Sequence, residues 1–332
     1  KVQPGGMFVA VTGFATDGNR FIPMAMEKGA AVIVTAKEPE QEVPYVLVES
    51  DRLALALIGT NYFGRPAQAM TMIGVTGTNG KTTTTTLTGE IFKCANKGTF
   101  VVGNIGEPYI AHSLEAKEDD FMVCEISSYQ LEGIKAYHPK TAALLNITED
   151  HMIRHKTMEN YIDAKLRVFE NQTKNDFSIL NYDDEIVRSL KDRVPGTCVF
   201  FSRKEVLQEG AYVENGNIVF NYFGKKEVII PVSEVMIKGP HNLENALAAV
   251  LLTMLVGIDK ESVKKALTTF SGVEHRIETV KTVDGVKSEL SLLKHKCIEK
   301  SAGIASVFMW NELNRSQFQN FSSNFTSFHF SH

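Results

Sequence analysis

Residues 74–83 read Gly-Val-Thr-Gly-Thr-Asn-Gly-Lys-Thr-Thr and lie between an apolar run at 70–75 and a helix-compatible stretch. A strand, a glycine-rich turn and a helix N-terminus in that order make a cradle for a polyphosphate. Gly77 and Gly80 let the backbone turn its N–H groups inward, and the helix start adds partial positive charge. Lys81 can reach the β and γ oxygens, and Thr82 can place a hydroxyl on Mg²⁺. The strict form of the motif has glycine where Val75 stands, so this is a variant phosphate loop. It points to a nucleoside triphosphate.

Other chemistry-bearing residues follow at the ends of apolar runs. Glu125 closes Phe-Met-Val-Cys-Glu and is placed to meet the metal held by Thr82. Ser127, Ser128 and Gln130 follow as short polar groups suited to a ligand. Asn146 ends a second apolar run, and Asp150-His151 brings an imidazole near the same rim, with Lys165 on a helix beyond it. Asn242 and Asn245 share one helix face at i,i+3. Judged singly, Glu125 also reads as an exposed strand-end carboxylate, His151 as a loop histidine and Asn242 as a capping amide. Together, Thr82, Glu125 and His151 suggest a second metal.

These residues need elements to position them. Strand-like runs are expected at 7–12, 31–35, 45–48, 70–75, 121–126, 141–147 and 177–181, with a hairpin near 211–231 around Asn215-Gly216. Helical periodicity covers 21–28, 52–62, 81–93, 158–171, 241–256 and 259–269. Apolar strands interleaved with helices predict an α/β fold, a mostly parallel sheet flanked by helices in a phosphate-loop ATPase-like central domain, preceded by a small N-terminal α/β domain. In such sheets ligands gather at the carboxyl ends of strands, where the polar signatures fall. The domain boundaries expected are 1–69, 70–286 and an atypical tail at 287–332, with a linker at about 64–69 before the nucleotide strand.

The chain is 332 residues long, 43% hydrophobic and 22% charged, with a net charge of −4. That size suits two ordinary domains, and the dispersed basic residues argue against a nucleic-acid surface. Apolar runs are too short to cross a bilayer, so no membrane association is expected. The four cysteines, Cys94, Cys124, Cys198 and Cys297, lack C-x-x-C spacing, which fits reduced thiols and a cytoplasmic setting.

In sequence order, Gly-Thr-Asn-Gly-Lys-Thr-Thr, Gly103-Asn104-Ile105-Gly106, Glu125-Ile-Ser-Ser-Tyr-Gln-Leu-Glu, Asn146-Ile-Thr-Glu-Asp-His151, Tyr161-Ile-Asp-Ala-Lys165, His241-Asn-Leu-Glu-Asn245 and Glu274-His-Arg276-Ile-Glu resemble the Mur ligase family over about 70–285. The resemblance implies ATP-dependent joining of an amino acid to a UDP-N-acetylmuramoyl peptide in peptidoglycan synthesis, through an acyl phosphate. By matched position, Gly77, Thr78, Asn79, Gly80, Lys81, Thr82 and Thr83 would hold the ATP phosphates, and Asn242, Asn245 and Arg276 would lie on the ATP side. Thr82 and Glu125 would hold one Mg²⁺; His151 and a carbamylated Lys165 would serve a second. Catalytic roles would fall on Lys81, His151 and Lys165, while Asn104, Ser127 and Gln130 would lie on the substrate side. The central phrases favour D-glutamate as the amino acid, whereas residues 1–69 resemble the uridine-nucleotide domain of members that add meso-diaminopimelate or L-lysine. Beyond Val286 the family's Asp-Ser-Lys-type motif and third domain are not found, which leaves a non-catalytic ATP-binding module as the alternative. A monomer is expected.

Overall fold

The structure is a computed structural model that describes residues 2–13, 16–62, 64, 70–106, 109–112, 115–273, 277–283, 286–291 and 309–310. Its N-terminal unit is a three-stranded parallel sheet of β1 (Met7–Ala10), β2 (Val32–Thr35) and β3 (Tyr45–Leu47), in that order, with α1 (Ile22–Glu27) and α2 (Asp51–Tyr62). Ala10, Ile22, Ala25, Ala30 and Ile33 form its small core. The buried Asp51 carboxylate accepts from the Thr12 N–H at 2.8 Å, a bond that lowers its pKa and ties the start of α2 to the loop after β1.

The central unit begins at β4 (Thr71–Thr76), followed by α3 (Lys81–Cys94), β5 (Thr99–Gly103), β6 (Phe121–Glu125), α4 (Ser128–Leu131) and β7 (Thr141–Leu144). Next come α5 (Met152–His155), α6 (Met158–Leu166), β8 (Phe177–Asn181), α7 (Glu185–Ser189), β9 (Thr197–Ser202) and β10 (Gly210–Glu214). Strands β11 (Asn217–Tyr222) and β12 (Lys225–Pro231) then precede α8 (Pro240–Met254) and α9 (Lys260–Thr269). The nine strands run in the order β12-β11-β10-β9-β8-β7-β4-β6-β5. All pairings from β5 across to β10 are parallel; β11 alone is reversed, pairing antiparallel with β10 on one side and β12 on the other. The mostly parallel sheet read from the sequence is therefore present.

Period-two alternation explains why this sheet is covered on both faces. Ala142 and Leu144 of β7 belong to one apolar cluster with Met72, Met122, Tyr161 and Phe169, while Ala143 and Leu145 belong to the other with Ile73, Leu87, Phe92 and Leu251. Strands β6 and β7 are buried along their whole length, as expected of central parallel strands. Helix α8, capped by Gly239 with Pro240 in its first turn, is buried continuously from Asn245 to Met254 and packs against α3. Truncating Leu251 to alanine should lower unfolding stability by about 2–5 kcal/mol, read from the urea midpoint, because the close-packed site cannot collapse around the lost volume.

Some elements differ from expectation. The helix expected over 158–171 is α-helical only to Leu166 and tightens into a 3-10 turn at Arg167–Phe169. Strands β5 and β9 and the short helices α4, α5 and α7 are additional. The hairpin region holds three strands, with positive φ at Asn215 and Gly216 in one turn and at Phe223 and Gly224 in the next. Strands β13 (Ile277–Val283) and β14 (Val286–Ser291) form an antiparallel pair across residue 286, extended by β15 (Met309–Trp310). Residues 65–69 of the expected linker, Cys297, and 292–308 and 311–332 of the expected tail lie outside the described residues.

Candidate active site

Strand β4 ends in the middle of the sheet, where the Thr76 hydroxyl donates to the Ile126 carbonyl at 2.9 Å. The chain then turns through Gly77, at φ 155°, and Gly80, at φ 81°, into α3. A Cβ on Gly80 would lie 2.2 Å from Asn245 Oδ1, so left-handed backbone and the approach of α8 both require glycine there. Asn245 is buried. It accepts from the Thr84 hydroxyl at 3.2 Å and donates to Asn242 Oδ1 at 3.3 Å, while Asn242 Nδ2 donates to the Lys238 carbonyl at 2.8 Å. The structure thus brings Asn245, with Asn242 bonded to it, to the start of α3; Arg276 lies outside the described residues.

A second side chain, which the sequence marks at a strand end without giving it a role, shapes the loop. Asn146 Oδ1 accepts from the Asn79 N–H at 2.8 Å and its Nδ2 donates to the Asn79 carbonyl at 3.1 Å. Its own carbonyl accepts from the Thr78 N–H at 3.0 Å. The available signal was an asparagine closing the apolar run of β7, the strand beside β4. Lys81 folds back across the loop, its Nζ donating at 2.9 Å to the carbonyls of both Gly77 and Thr78. Thr82 and Thr83 occupy the first turn of α3, where backbone N–H groups have no intrahelical acceptor.

Glu125 ends β6 opposite Val75 and is only 2% exposed. Its Oε1 accepts from Asn104 Nδ2 at 3.1 Å. The buried Oε2 has no hydrogen-bond partner among the described residues. A desolvated carboxylate oxygen left over beside a phosphate loop suits a cation. The backbone reinforces this arrangement: Gly103 has φ 106°, a Cβ there would strike the Glu125 carbonyl at 2.2 Å, and the Asn104 N–H donates to that carbonyl at 2.8 Å.

Lys165, on α6, is also 2% exposed. Its Nζ donates to the Gly77 carbonyl at 2.8 Å and lies 4.6 Å from the Tyr161 ring centroid. Burial, and after it the neighbouring Lys81 charge, pull its pKa down from 10.5 to about 7. The Gly77 carbonyl is thus shared by two lysines. Tyr161 links the same helix to the loop through a 3.3 Å contact between its hydroxyl and that of Thr78.

His151 stands at the N-cap of α5 in left-handed backbone, with Nε2 3.4 Å from Asp150 Oδ2. Its ring lies 5.1 Å from Tyr129 and 6.5 Å, edge-on, from Tyr161. Tyr161 therefore touches both His151 and Lys165, the expected second pair. Among the described residues no three His, Cys, Asp or Glu side chains group around a metal position, so any ion here would draw on a hydroxyl, a carboxylate, an imidazole and a modified amine. Ser127 and Gln130 engage each other in a reciprocal helix cap: Ser127 N–H donates to Gln130 Oε1 at 2.9 Å and Gln130 N–H to Ser127 Oγ at 3.3 Å.

The Mur ligase middle domain family matches residues 75–253. The UDP-N-acetylmuramoylalanine--D-glutamate ligase of Alkaliphilus metalliredigens (strain QYMF) is 50% identical over 65% of this chain and 48% of its own. That of Thermoanaerobacter sp. (strain X514) is 47% identical over 74% of this chain and 55% of its own. The chain spans about half the length of the curated relatives it matches. Among solved structures, a UDP-N-acetylmuramoyl-L-alanyl-D-glutamate--2,6-diaminopimelate ligase aligns with TM-score 0.66 and 21% identity over 85% of this chain and 63% of that one. The MurF ligase from Thermotoga maritima in complex with ADP aligns with TM-score 0.61 and 23% identity, over 84% and 66% respectively. These two likenesses establish the fold.

Proposed function

The chain belongs to the Mur ligase family, and from that premise we propose that it is the ATP-consuming part of a ligase joining D-glutamate to UDP-N-acetylmuramoyl-L-alanine. The observation that carries the reading is a phosphate loop whose Gly77 carbonyl takes both Lys81 and the buried Lys165, beside a buried carboxylate oxygen of Glu125 on the adjoining strand that lacks a partner among the described residues. Identity near 50% to D-glutamate ligases supports the choice of amino acid.

In this reading the loop N–H groups and the start of α3 hold the β and γ phosphates, and Lys81 leaves its carbonyl partners for phosphate oxygens. Thr82 and Glu125 would hold one magnesium, and His151 and Lys165 a second. Magnesium supplies neutralisation of the triphosphate charge. Burial and the Lys81 charge favour the neutral amine of Lys165, which would take up CO₂: the N–C bond forms as a C=O π bond opens onto oxygen, an N–H proton leaves to water, and the side chain becomes an anionic carbamate. Asn146 and Asn245 keep the cradle in shape. The precursor carboxylate then attacks the γ-phosphorus as the bond to ADP breaks. The amine of D-glutamate attacks the resulting acyl phosphate, and phosphate departs.

In the same reading Ser127, Gln130 and Asn104 would contact the precursor. We assign the reaction to the cytoplasm, in cell-wall construction, on the strength of the family. No helix among the described residues is long and apolar enough to cross a membrane. ADP release should require UDP-N-acetylmuramoyl-L-alanine and D-glutamate together, with meso-diaminopimelate and L-lysine inactive. Binding of ATP with no ADP released under those conditions would overturn the ligase reading for this chain.

A further inference from the structure

Three segments of the site meet at one side chain that the chemistry above does not use. His155, at the end of α5, is 5% exposed. Its Nε2 lies 3.0 Å from Ser128 Oγ on α4, and its Nδ1 lies 3.5 Å from Glu132 Oε1. The ring stacks on Tyr129 at 5.6 Å with an 11° tilt and leans at 5.0 Å against Tyr161 of α6. The His155 carbonyl accepts from Asn160 Nδ2 at 2.8 Å, a second tie to α6. The charged and titratable groups facing it are Glu132, Arg154, His151 and Lys165, with Arg154 gripping Glu132 at 2.5 Å and lying over the Tyr129 ring.

Burial holds the imidazole below its ordinary pKa of 6.5. A neutral ring with its N–H on Nδ1, toward the Glu132 carboxylate, leaves Nε2 to accept the Ser128 hydroxyl. That bond and the Tyr129 stack grip the two residues between Ser127 and Gln130. A stability role alone would need only a buried apolar ring at this point, since stacking supplies most of the contact area. The directional bond to Ser128 does something an apolar ring cannot: it fixes the rotation of the turn relative to α6.

We propose that His155 is a positioning residue that locks the turn at 127–130 against the Lys165 helix, so that Ser127 and Gln130 meet the muramoyl precursor in one orientation. The proposal rests on the reading of that turn as the precursor's contact. The test is calorimetric titration of the full chain with UDP-N-acetylmuramoyl-L-alanine in the presence of Mg·ADP, and separately with Mg·ADP alone, for wild type, His155→Phe and His155→Gln. His155→Phe keeps the stack and strands the buried Ser128 hydroxyl, so precursor affinity should fall about tenfold with ADP affinity unchanged. His155→Gln, which can still accept from Ser128, should recover most of the loss. Equal precursor affinity in His155→Phe and wild type, or a parallel loss of ADP and precursor binding in both variants, would overturn the positioning role. Wild-type chain that binds ADP but not the precursor would overturn the reading beneath it as well.

Discussion

Gly80→Ala should reduce affinity for Mg·ADP by about a hundredfold or more and lower Tm by about 4–8 °C. Two costs act at once. At φ 81° a residue with a Cβ sits in left-handed backbone, which costs on the order of 1–2 kcal/mol. The new methyl would also sit 2.2 Å from Asn245 Oδ1. Asn245 cannot retreat cheaply, because its amide is engaged by Thr84 and Asn242 and its surroundings are buried. The loop must therefore move, and with it the N–H groups that face the phosphates. Adding Asn245→Ala should return part of the Tm, since it removes the atom that the methyl strikes. Differential scanning fluorimetry with and without nucleotide separates the two effects; a Gly80→Ala protein with unchanged Tm and ADP affinity would show that the close approach is not real.

Lys165→Met should make the protein more stable and less active at once. The unfolded chain holds the Lys165 proton up to about pH 10.5, whereas the folded chain holds it only to about 7. Between those values the unfolded state binds more protons, so stability from this group rises as pH rises through the window and is lost again as pH falls toward 7. Methionine removes the titration and its desolvation cost, and the gain at pH 7 should be about 1–4 kcal/mol. The Gly77 carbonyl keeps a donor in Lys81, which limits the loss. Urea unfolding across pH 7–10 should accordingly show a shallower slope for the variant. Ligation should fall by about a hundredfold or more, because no amine remains to take up CO₂ and complete the second cation site. A variant that is less stable at pH 7, or one that ligates normally, would contradict this assignment.

Much of this site was legible in the sequence because its parts are local. Gly77, Gly80, Lys81 and Thr82 lie within one strand–turn–helix, and Glu125 and Asn146 each close an apolar run whose length identifies a buried strand. What could not be read is what depends on distant segments meeting. Asn245 stands 165 positions from Gly80 in the chain, so its clash with a Cβ there is visible only once α8 packs on α3. The low pKa of Lys165 is likewise a property of burial and of Lys81 across a shared carbonyl. Strands β5 and β9, missing from the expectation, are short runs of five and six residues in which a few apolar side chains do not distinguish strand from loop or helix. Ser127 and Gln130 read as free polar groups, while the structure spends part of their bonding capacity on capping α4.

The most direct test is a crystal structure of the chain with a non-hydrolysable ATP analogue, Mn²⁺ and bicarbonate, read by anomalous scattering. The triphosphate should lie along 77–83, with one manganese between Thr82 and Glu125, a second by His151 and Lys165, and added density on Lys165 Nζ. A triphosphate bound elsewhere, or manganese absent from Glu125, would contradict the assignment of this site.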